Sequence, residues 1–150
     1  ERINADYAGR EPLFICVLNG AFMYASDLFK LITLPAEITF VRLKSYEGTA
    51  TTGKVNMLIP LQTSVKDRDV IIIEDIVDTG TTLKHLKAYL MDRNPKCVKI
   101  CTLLDKPSRR VADIKADYIG FEIDNLFVVG YGLDYDQKYR NLPYVSYLEG

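Results

Sequence analysis

Short apolar runs recur along the chain, and each is bounded by charged residues, Gly, Pro or Asn. Runs of about four to eight apolar residues between turn signals are typical of buried strands. These runs therefore predict strands at residues 13–18, 38–43, 55–59, 70–74, 98–104, 118–121 and 127–130.

Two of the predicted strands lead through a turn into a segment with helical periodicity. The strand at 13–18 is followed by a turn at 19–20, and the strand at 70–74 is followed by a turn at 78–80. Strands that alternate with helices predict an α/β fold, in which a mostly parallel, twisted sheet is flanked by helices. The residues at helical spacing are Phe22, Ala25, Phe29 and Ile32 in one segment and Leu83, Leu86 and Leu90 in the other.

The start of the chain has the composition of a short helix, at residues 1–8, which Gly9 and Pro12 would end. The chain opens at Glu1 rather than at Met, so we expect it to be trimmed at its N-terminus. We expect residues 1–150 to form one domain, because a chain of this length suits a single hydrophobic core.

The segment KSYEGTATTGK, at residues 44–54, interrupts the pattern between the second and third predicted strands. It is rich in Gly and Thr, lacks apolar periodicity and is longer than the usual hairpin connection. Long irregular loops often cover binding sites, so we expect a flexible lid here. A plain hairpin connection is the alternative.

The composition is that of an ordinary globular protein, with 48% hydrophobic and 26% charged residues. The formal charge of −1 provides no general attraction to nucleic acid. No apolar run approaches the roughly 18 residues that a membrane span needs. We therefore expect neither nucleic acid nor a membrane as a partner.

The cysteines and the single histidine favour structural roles over chemical ones. Cys16, Cys97 and Cys101 lie in apolar runs, where a thiol behaves as a small hydrophobic group. An odd number of cysteines without C-x-x-C spacing argues against a disulfide framework or a zinc site and suits the reducing cytoplasm. His85 falls outside the apolar face of its predicted helix, so we expect it to be exposed and not catalytic.

Carboxylates and hydroxyls are crowded in the segment 74–82, directly after an apolar strand. Ligands of open α/β sheets bind beyond the carboxyl ends of the strands, where the N-terminus of the next helix attracts anions. Three threonines and a glycine in this turn can surround a monophosphate with neutral groups. The chain lacks the lysine of a triphosphate-binding loop, since Thr81 stands in its place, and it also lacks G-x-G-x-x-G.

Carboxylates beside a phosphate suit ribose hydroxyls or a divalent metal such as Mg²⁺. The segment 74–82 therefore predicts a turn that binds a phosphorylated ribose. The alternative is helix capping, in which Asp78 or Thr79 caps the helix that begins near Thr81. In that case Glu74 and Asp75 would be exposed loop charges.

The same residues carry a family resemblance. The segment IIIEDIVDTGTTL, at 71–83, resembles the phosphoribosyl-pyrophosphate motif of the type I phosphoribosyltransferases. Nearly the whole chain resembles the hypoxanthine (guanine) branch of that family, through VLNGAF at 17–22, RLKSY at 42–46, LLDKPSRR at 103–110, DYIGFEI at 117–123 and FVVGYGLDYDQKYRNL at 127–142.

The resemblance implies a type I phosphoribosyltransferase fold, with a small hood region and a flexible lid loop. It also implies a cytoplasmic, Mg²⁺-dependent enzyme of purine salvage. Such an enzyme transfers the 5-phosphoribosyl group from phosphoribosyl pyrophosphate to a 6-oxopurine, hypoxanthine or guanine, and yields IMP or GMP and pyrophosphate. A homodimer or homotetramer is implied as well.

Within the central motif, the resemblance implies a role for each polar residue. Glu74 and Asp75 would bind the ribose hydroxyls and the metal. Asp78 would be the catalytic general acid/base near purine N7. The 5′-phosphate would be held by Thr79, Gly80, Thr81 and Thr82.

The resemblance also implies three residues that recognise the purine. Lys106 would read the 6-oxo group, although a surface lysine is ordinarily solvated. Phe127 would stack on the base and the Val128 backbone would meet its edge, although both residues are otherwise ordinary strand core.

The pyrophosphate side would involve Asp134, near a second Mg²⁺, and Arg140, whose planar fork suits phosphate oxygens. A turn cap and a surface charge are the respective alternatives. The backbone of the first turn, at Leu18, Asn19 and Gly20, would contact pyrophosphate, and Ser45 and Tyr46 would close over it as part of the lid. Asn19 stands where the family often has a basic residue, so one cation would be missing there.

Two other functions fit parts of the sequence. One is a regulatory protein that binds ribose phosphates or nucleotides without turnover, although the presence of Asp78, Lys106 and Arg140 together favours an enzyme. The other is a doubly wound domain for flavin binding or phosphate signalling. That reading leaves the threonine-rich turn and the Lys106 segment unexplained.

Overall fold

The computed structural model describes residues 1–43 and 57–148. In chain order these residues form α1 (Arg2–Asp6), β1 (Leu13–Leu18), α2 (Phe22–Lys30), β2 (Glu37–Leu43), β3 (Met57–Ile59), β4 (Asp69–Val77), α3 (Thr81–Met91), β5 (Cys97–Asp105), a 3₁₀ turn (Pro107–Arg109), β6 (Tyr118–Glu122), β7 (Val128–Val129) and β8 (Ser146–Tyr147).

The main sheet has the strand order β3-β2-β1-β4-β5-β6. All neighbouring pairs are parallel except β2 and β3, which are antiparallel. The chain order reverses beside β1 and β4, the position at which α/β sheets bind ligands. The predicted α/β class, with a mostly parallel sheet and flanking helices, is confirmed.

The two central strands, β1 and β4, are buried because each face of the sheet carries a helix. On one face, alternate strand residues such as Leu13 and Ile72 pack against the apolar side of α3. On the other face, Phe14 and Ile71 pack against α1 and α2. Full burial of each such side chain contributes about 1.5–3 kcal/mol, so the sheet holds the ends of β1 and β4 in fixed positions.

Strand β4 is longer than its apolar run predicts. It continues to Val77, and its polar end stays in register with β5, where Glu74 faces Thr102 and Val77 faces Asp105. The strand predicted at 70–74 therefore continues to Val77, and the expectation that the turn begins at Glu74 is wrong, because continued pairing with β5 keeps residues 74–77 in the strand. The turn before α3 is limited to residues 78–80.

Strands β7 and β8 form a separate antiparallel pair. The strand predicted at 127–130 is observed as Val128–Val129, whereas β8 was not predicted, since two exposed residues have no periodicity to detect. Of the strand predicted at 55–59, the described part is Met57–Ile59. The predicted lid, 44–54, lies outside the described residues. No helix within 1–43 and 57–148 has the length and apolar character needed to cross a bilayer.

Candidate active site

A cavity of about 300 Å³ lies at the carboxyl ends of β1 and β4, beside the start of α3. The sheet places the ends of both strands at one edge, so residues far apart in the sequence meet there. The lining residues are Val17, Leu18, Gly20, Leu43 and all of residues 74–83. The whole segment predicted to bind a phosphorylated ribose, 74–82, is therefore in the wall of one cavity.

The cavity is lined by an acidic pair, Glu74 and Asp75, and both residues are half-buried. Asp75 Oδ1 accepts the N–H of Ile76 at 2.8 Å. The first turn lies against the same carboxylate, since a Cβ atom on Gly20 would be 1.9 Å from Asp75 Oδ2. A side chain at position 20 would therefore displace the Asp75 carboxylate, so glycine lets the turn after β1 meet the acidic end of β4.

Burial makes the ionisation of both carboxyl groups unfavourable. Burial raises the pKa of Glu74 well above its ordinary value of 4.5, and the neighbouring Asp75 raises it further. Burial also raises the pKa of Asp75, while the N–H of Ile76 and the positive charge of Arg140 oppose that rise. Such a pair is relieved by a proton or by a bound cation.

The turn between β4 and α3 lines the cavity. Gly80 is the N-terminal cap residue of α3, with a left-handed φ of 84°, and no side chain of the described residues caps the helix. The capping alternative for Asp78 and Thr79 is therefore wrong. The first N–H groups of α3 are left for a ligand, which is the arrangement that binds anions.

Asp78 lines the cavity, and its side chain is 42% exposed. Its Oδ1 accepts a hydrogen bond from Arg109 Nε at 3.0 Å. The threonine hydroxyls also interact across the turn, since Thr79 Oγ1 donates to Thr81 Oγ1 at 3.5 Å. A ligand in this turn would meet a carboxylate on one side and hydroxyls on the other.

Lys106 directly follows β5 and is only 6% exposed. Its backbone N–H donates to Val77 O at 2.9 Å, which joins the ends of β4 and β5. The reading of Lys106 as a solvated surface lysine is therefore wrong. Within the described ranges its ammonium forms no salt bridge, so it retains donors for an acceptor on a ligand.

Of the two predicted base-contacting residues, Val128 lies in β7 and Phe127 directly precedes that strand, and neither lines the cavity. Phe127 is 53% exposed rather than core, and its ring meets Tyr135 edge-on with centroids 5.8 Å apart. Val128 pairs with Tyr147 of β8, and Phe127 O accepts the N–H of Leu148 at 2.9 Å. The exposed Phe127 ring is thus available for stacking.

The loop that follows β7 reaches back to the first turn. A Cβ atom on Gly132 would lie 2.2 Å from Gly20 O, so the two glycines are in close contact. Arg140 Nη1 donates to Gly132 O at 2.8 Å, and Arg140 Nη2 lies 3.6 Å from Asp134 Oδ1. The structure therefore brings Arg140 close enough to affect the Asp75 carboxylate.

Asp134, a predicted metal ligand, also accepts the N–H of Gln137 at 2.9 Å. In the described part of the chain, no group of three or more His, Cys, Asp or Glu side chains is arranged to hold a metal. The acidic pair thus provides two protein carboxylates, and Asp134 is not grouped with them.

Leu18, Asn19 and Gly20 are half-buried at the end of β1. Their predicted turn is observed, since Asn19 O accepts the N–H of Phe22 at 3.1 Å, and the Leu18–Asn19 peptide bond is cis. The two remaining predicted residues, Ser45 and Tyr46, lie outside the described residues.

His85 is partly buried on α3 and has an interaction partner, so the expectation that it is exposed is wrong. The cysteines are free, as expected for small hydrophobic groups, with Cys16 and Cys101 buried. Burial raises the pKa of Cys16 to about 12, which keeps that thiol protonated and unreactive.

Sequence reasoning missed Arg109 and Arg110, which surround Asp78. Arg110 Nε donates to Asp78 O at 3.2 Å, and Arg109 binds the Asp78 carboxylate. Both residues belong to LLDKPSRR, from which only Lys106 was singled out. Two adjacent arginines after a lysine were the available signal, but only the fold brings them to the turn at 78–80.

The model of the phosphoribosyl transferase domain family matches residues 1–136. This chain belongs to the phosphoribosyltransferase family. Its cavity therefore holds the acidic and threonine-rich segment that the family resemblance singled out, at the position where α/β sheets bind ligands.

Curated relatives of this phosphoribosyltransferase include two bacterial hypoxanthine-guanine phosphoribosyltransferases. The protein of Streptococcus thermophilus (strain CNRZ 1066) is 48% identical over 150 residues, which is 99% of this chain and 83% of the relative. The protein of Bacillus subtilis (strain 168) is 49% identical over 148 residues, which is 98% of this chain and 82% of the relative.

Solved structures of hypoxanthine phosphoribosyltransferases are also similar to this chain. A hypoxanthine phosphoribosyltransferase from Staphylococcus aureus superposes with a TM-score of 0.94 at 46% identity, over 99% of this chain and 81% of that one. The Trypanosoma cruzi enzyme, in complex with the product IMP, has a TM-score of 0.91 at 38% identity, over 99% of this chain and 84% of that one.

Proposed function

We propose that this phosphoribosyltransferase transfers the 5-phosphoribosyl group of phosphoribosyl pyrophosphate to N9 of a 6-oxopurine, hypoxanthine or guanine. The products are IMP or GMP and pyrophosphate, which is a purine salvage reaction. The proposal rests on one observation: the acidic pair, the threonine-rich turn and the uncapped N-terminus of α3 all line the same cavity. The names of the relatives support the choice of purine.

The 5′-phosphate would bind in the turn at 78–82. Its oxygens accept hydrogen bonds, and the turn offers backbone N–H groups together with the hydroxyls of Thr79, Thr81 and Thr82. Gly80 has no side chain to block this approach. The partial positive charge of the α3 N-terminus favours the phosphate without a lysine.

Glu74 and Asp75 would bind the ribose hydroxyls and Mg²⁺. The donor set fits, because Mg²⁺ takes one or two protein carboxylates and completes its shell with water and substrate oxygens. A cation would also relieve the pair whose ionisation burial disfavours. When bound, Mg²⁺ supplies positive charge that stabilises pyrophosphate as a leaving group. Asp134 would join a second Mg²⁺ only by opening its ion pair with Arg140.

The purine would lie between Lys106 and the smaller sheet. The ammonium of Lys106, a largely buried residue, donates to the 6-oxo group, the Phe127 ring stacks on the base, and the Val128 backbone meets its edge. Asp78, which lines the cavity, exchanges a proton with purine N7 as general acid/base. Its bond to Arg109 holds the carboxylate in place before the base arrives.

Pyrophosphate would leave past the first turn. Backbone groups of Leu18, Asn19 and Gly20 contact it there, and Arg140 provides the cation that Asn19 does not. Ser45 and Tyr46 would close over the site as part of the lid and keep water from the ribose.

We propose, in addition, that residues 1–150 act as one domain in the cytoplasm, where free cysteines are stable, and that the protein is a homodimer or homotetramer. No nucleic acid or membrane partner is proposed. Light scattering with size-exclusion chromatography tests the oligomeric state, and a monomeric active enzyme would refute that part.

Ultraviolet absorbance tests the activity directly. Protein, Mg²⁺ and phosphoribosyl pyrophosphate are mixed in turn with hypoxanthine, guanine, xanthine and adenine. We expect nucleotide from hypoxanthine and guanine but not from adenine, whose 6-amino group presents donors to the donors of Lys106. Activity with adenine alone, or with no purine, would refute the proposal.

A further inference from the structure

The turn at 78–80 forms hydrogen bonds with the segment 105–114, which we call the brace. Arg110 of the brace donates through Nε to Asp78 O at 3.2 Å and through Nη1 to Ile114 O at 2.8 Å, while its Nη2 pairs with Asp105 Oδ1. One guanidinium thus joins the turn, the far end of the brace and the end of β5.

The backbone of the brace adds further bonds to the same turn. Thr79 O accepts the N–H groups of Val111, at 2.9 Å, and Ala112, at 3.0 Å. Side chains of the brace also pack against Gly80 of the turn. A Cβ atom on Gly80 would lie 2.3 Å from Ile114 Cγ2 and 3.1 Å from Arg110 Cδ. The carbonyl groups of Asp78 and Thr79 therefore point into the brace, which leaves N–H groups of the turn for the cavity.

Arg110 contacts the turn through the Asp78 carbonyl and does not line the cavity. The cavity lining includes residues 74–83 but not Arg110. The side chain of Arg110 is 18% exposed and that of Asp105 is 7% exposed, so the ion pair is largely removed from water. A charge pair in such a position costs desolvation energy, which is offset only when all its donors are used. Each nitrogen of the Arg110 fork has an acceptor.

The brace also contains the purine-reading residue. Lys106 follows Asp105 directly, and its N–H donates to Val77 O, one residue before Asp78. Movement at the end of β5 would therefore displace both the buried lysine and the carbonyl that Arg110 holds.

We propose that Arg110 is a positioning residue, which fixes the turn at 78–80 in its phosphate-binding shape and couples that turn to the purine-reading segment at Lys106. The inference deepens the proposed function, since it explains how the two substrates of one site influence each other. It rests on that function for the phosphate at the turn and for the purine at Lys106.

The first test is the substitution Arg110→Lys. A lysine can still pair with Asp105, but its single ammonium cannot also reach Asp78 O and Ile114 O, because it lacks the planar fork. We expect the dissociation constant of ribose 5-phosphate, measured by calorimetry, and KM for phosphoribosyl pyrophosphate to rise about tenfold each, as for the loss of one to two hydrogen bonds. We expect kcat to change less than KM.

Arg93→Lys is the matched control. Arg93 also donates to a backbone carbonyl, Tyr89 O at 2.8 Å, but it lies at the exposed end of α3. Ribose 5-phosphate affinity should be unchanged in this variant. Equal loss in both variants, or unchanged affinity in Arg110→Lys at a native-like Tm, would overturn the inference.

If Arg110→Lys fails to fold, hydrogen exchange of the wild-type protein tests whether the turn at 78–80 and the brace are coupled. Ribose 5-phosphate should slow exchange at Val111 and Ala112 of the brace together with residues 78–82, because the brace amides donate to the turn. Protection confined to 78–82 would refute the coupling. A protein that binds ribose 5-phosphate in this way but makes no nucleotide would refute the proposed function and leave the role of Arg110 intact.

Discussion

The two residues of the acidic pair are unfavourable for the fold but suited to binding a ligand. Glu74 and Asp75 lie side by side at the end of β4, with the first turn packed against Asp75. Burial raises both pKa values, so ionisation of the pair opposes folding of the ligand-free protein. Active sites commonly contain such locally unfavourable groups.

Replacing Glu74 by Gln should stabilise the ligand-free protein at neutral pH. The folded-state pKa of Glu74 exceeds 4.5, so the folded protein binds this proton more tightly than the unfolded chain does. The stability gained from it is present below about pH 4.5 and is lost as the pH rises through the folded-state pKa. We expect Tm of Glu74→Gln to exceed wild type by about 2–4 °C at pH 7.5, with the difference vanishing toward pH 4.5.

Differential scanning fluorimetry from pH 4 to 8 in EDTA measures this difference. With Mg²⁺ and phosphoribosyl pyrophosphate present, the order should reverse, because the variant loses a carboxylate that binds the ligand. A lower Tm for the ligand-free variant at pH 7.5 would contradict the account of the pair.

Replacing Asp78 by Asn should separate binding from chemistry. An amide keeps an acceptor for Arg109 Nε and nearly the same shape, but it cannot exchange a proton with purine N7. We expect ribose 5-phosphate affinity to be retained and kcat to fall by about 10²–10⁴-fold, the usual range for a lost general acid/base. Steady-state kinetics and calorimetry provide the two readouts, and an unchanged kcat would remove the proton-handling role.

At the scale of elements, the connection from β4 to α3 decides what the cavity can bind. Gly80 has a left-handed φ and no space for a side chain, because Ile114 lies against it. The helix consequently begins without a side-chain cap, and its N–H groups remain for a phosphate. This is an arrangement of backbone, which needs the left-handed φ of Gly80 and the hydrogen bond from Arg110 to Asp78 O.

Comparison of Gly80→Ala with Gly9→Ala tests that arrangement. Gly9 also has a positive φ, of 79°, but no atom of residues 1–43 and 57–148 lies within 4 Å of a Cβ atom built there. We expect Gly9→Ala to cost about 1–2 kcal/mol from backbone strain alone. Gly80→Ala should cost about 1–3 kcal/mol more, because Ile114 must move, and should also lose ribose 5-phosphate binding.

Urea unfolding gives the two stabilities, and calorimetry gives the affinity. Full ribose 5-phosphate binding by a folded Gly80→Ala variant would show that the phosphate lies elsewhere.

At the scale of the whole molecule, the site is assembled from distant parts of the chain. The first turn, the end of β4, the brace and the loop after β7 meet at one edge of the sheet. A ligand that contacts these parts binds the folded state alone, so it stabilises the entire protein.

Ribose 5-phosphate with Mg²⁺ should therefore raise the global Tm. At a ligand concentration of 100 times the dissociation constant the gain is about 2.7 kcal/mol, or about 5–10 °C for a chain of this size. Ribose without phosphate is the control and should give much less. An equal shift with ribose would indicate that the turn at 78–82 does not bind the phosphate.

The local pattern alone determined much of the molecule. Alternating apolar strands and helices specified the α/β class, and residues 74–82 were located as a site because carboxylates, threonines and a glycine followed a buried strand. Such features are properties of neighbours in the chain. They need no knowledge of distant contacts, and they predicted strand β1 with its observed bounds.

Only the tertiary structure decided the features that depend on distant pairing. Pairing with β5 keeps Glu74 and Asp75 in a strand, and the end of β5 buries Lys106, which the sequence presents as an ordinary surface lysine. The contacts of Arg110 with Asp78 O and Asp105 exist because the sheet brings the ends of β4 and β5 together. A side chain's burial and partners are set by residues remote in sequence, so no local pattern could reveal them.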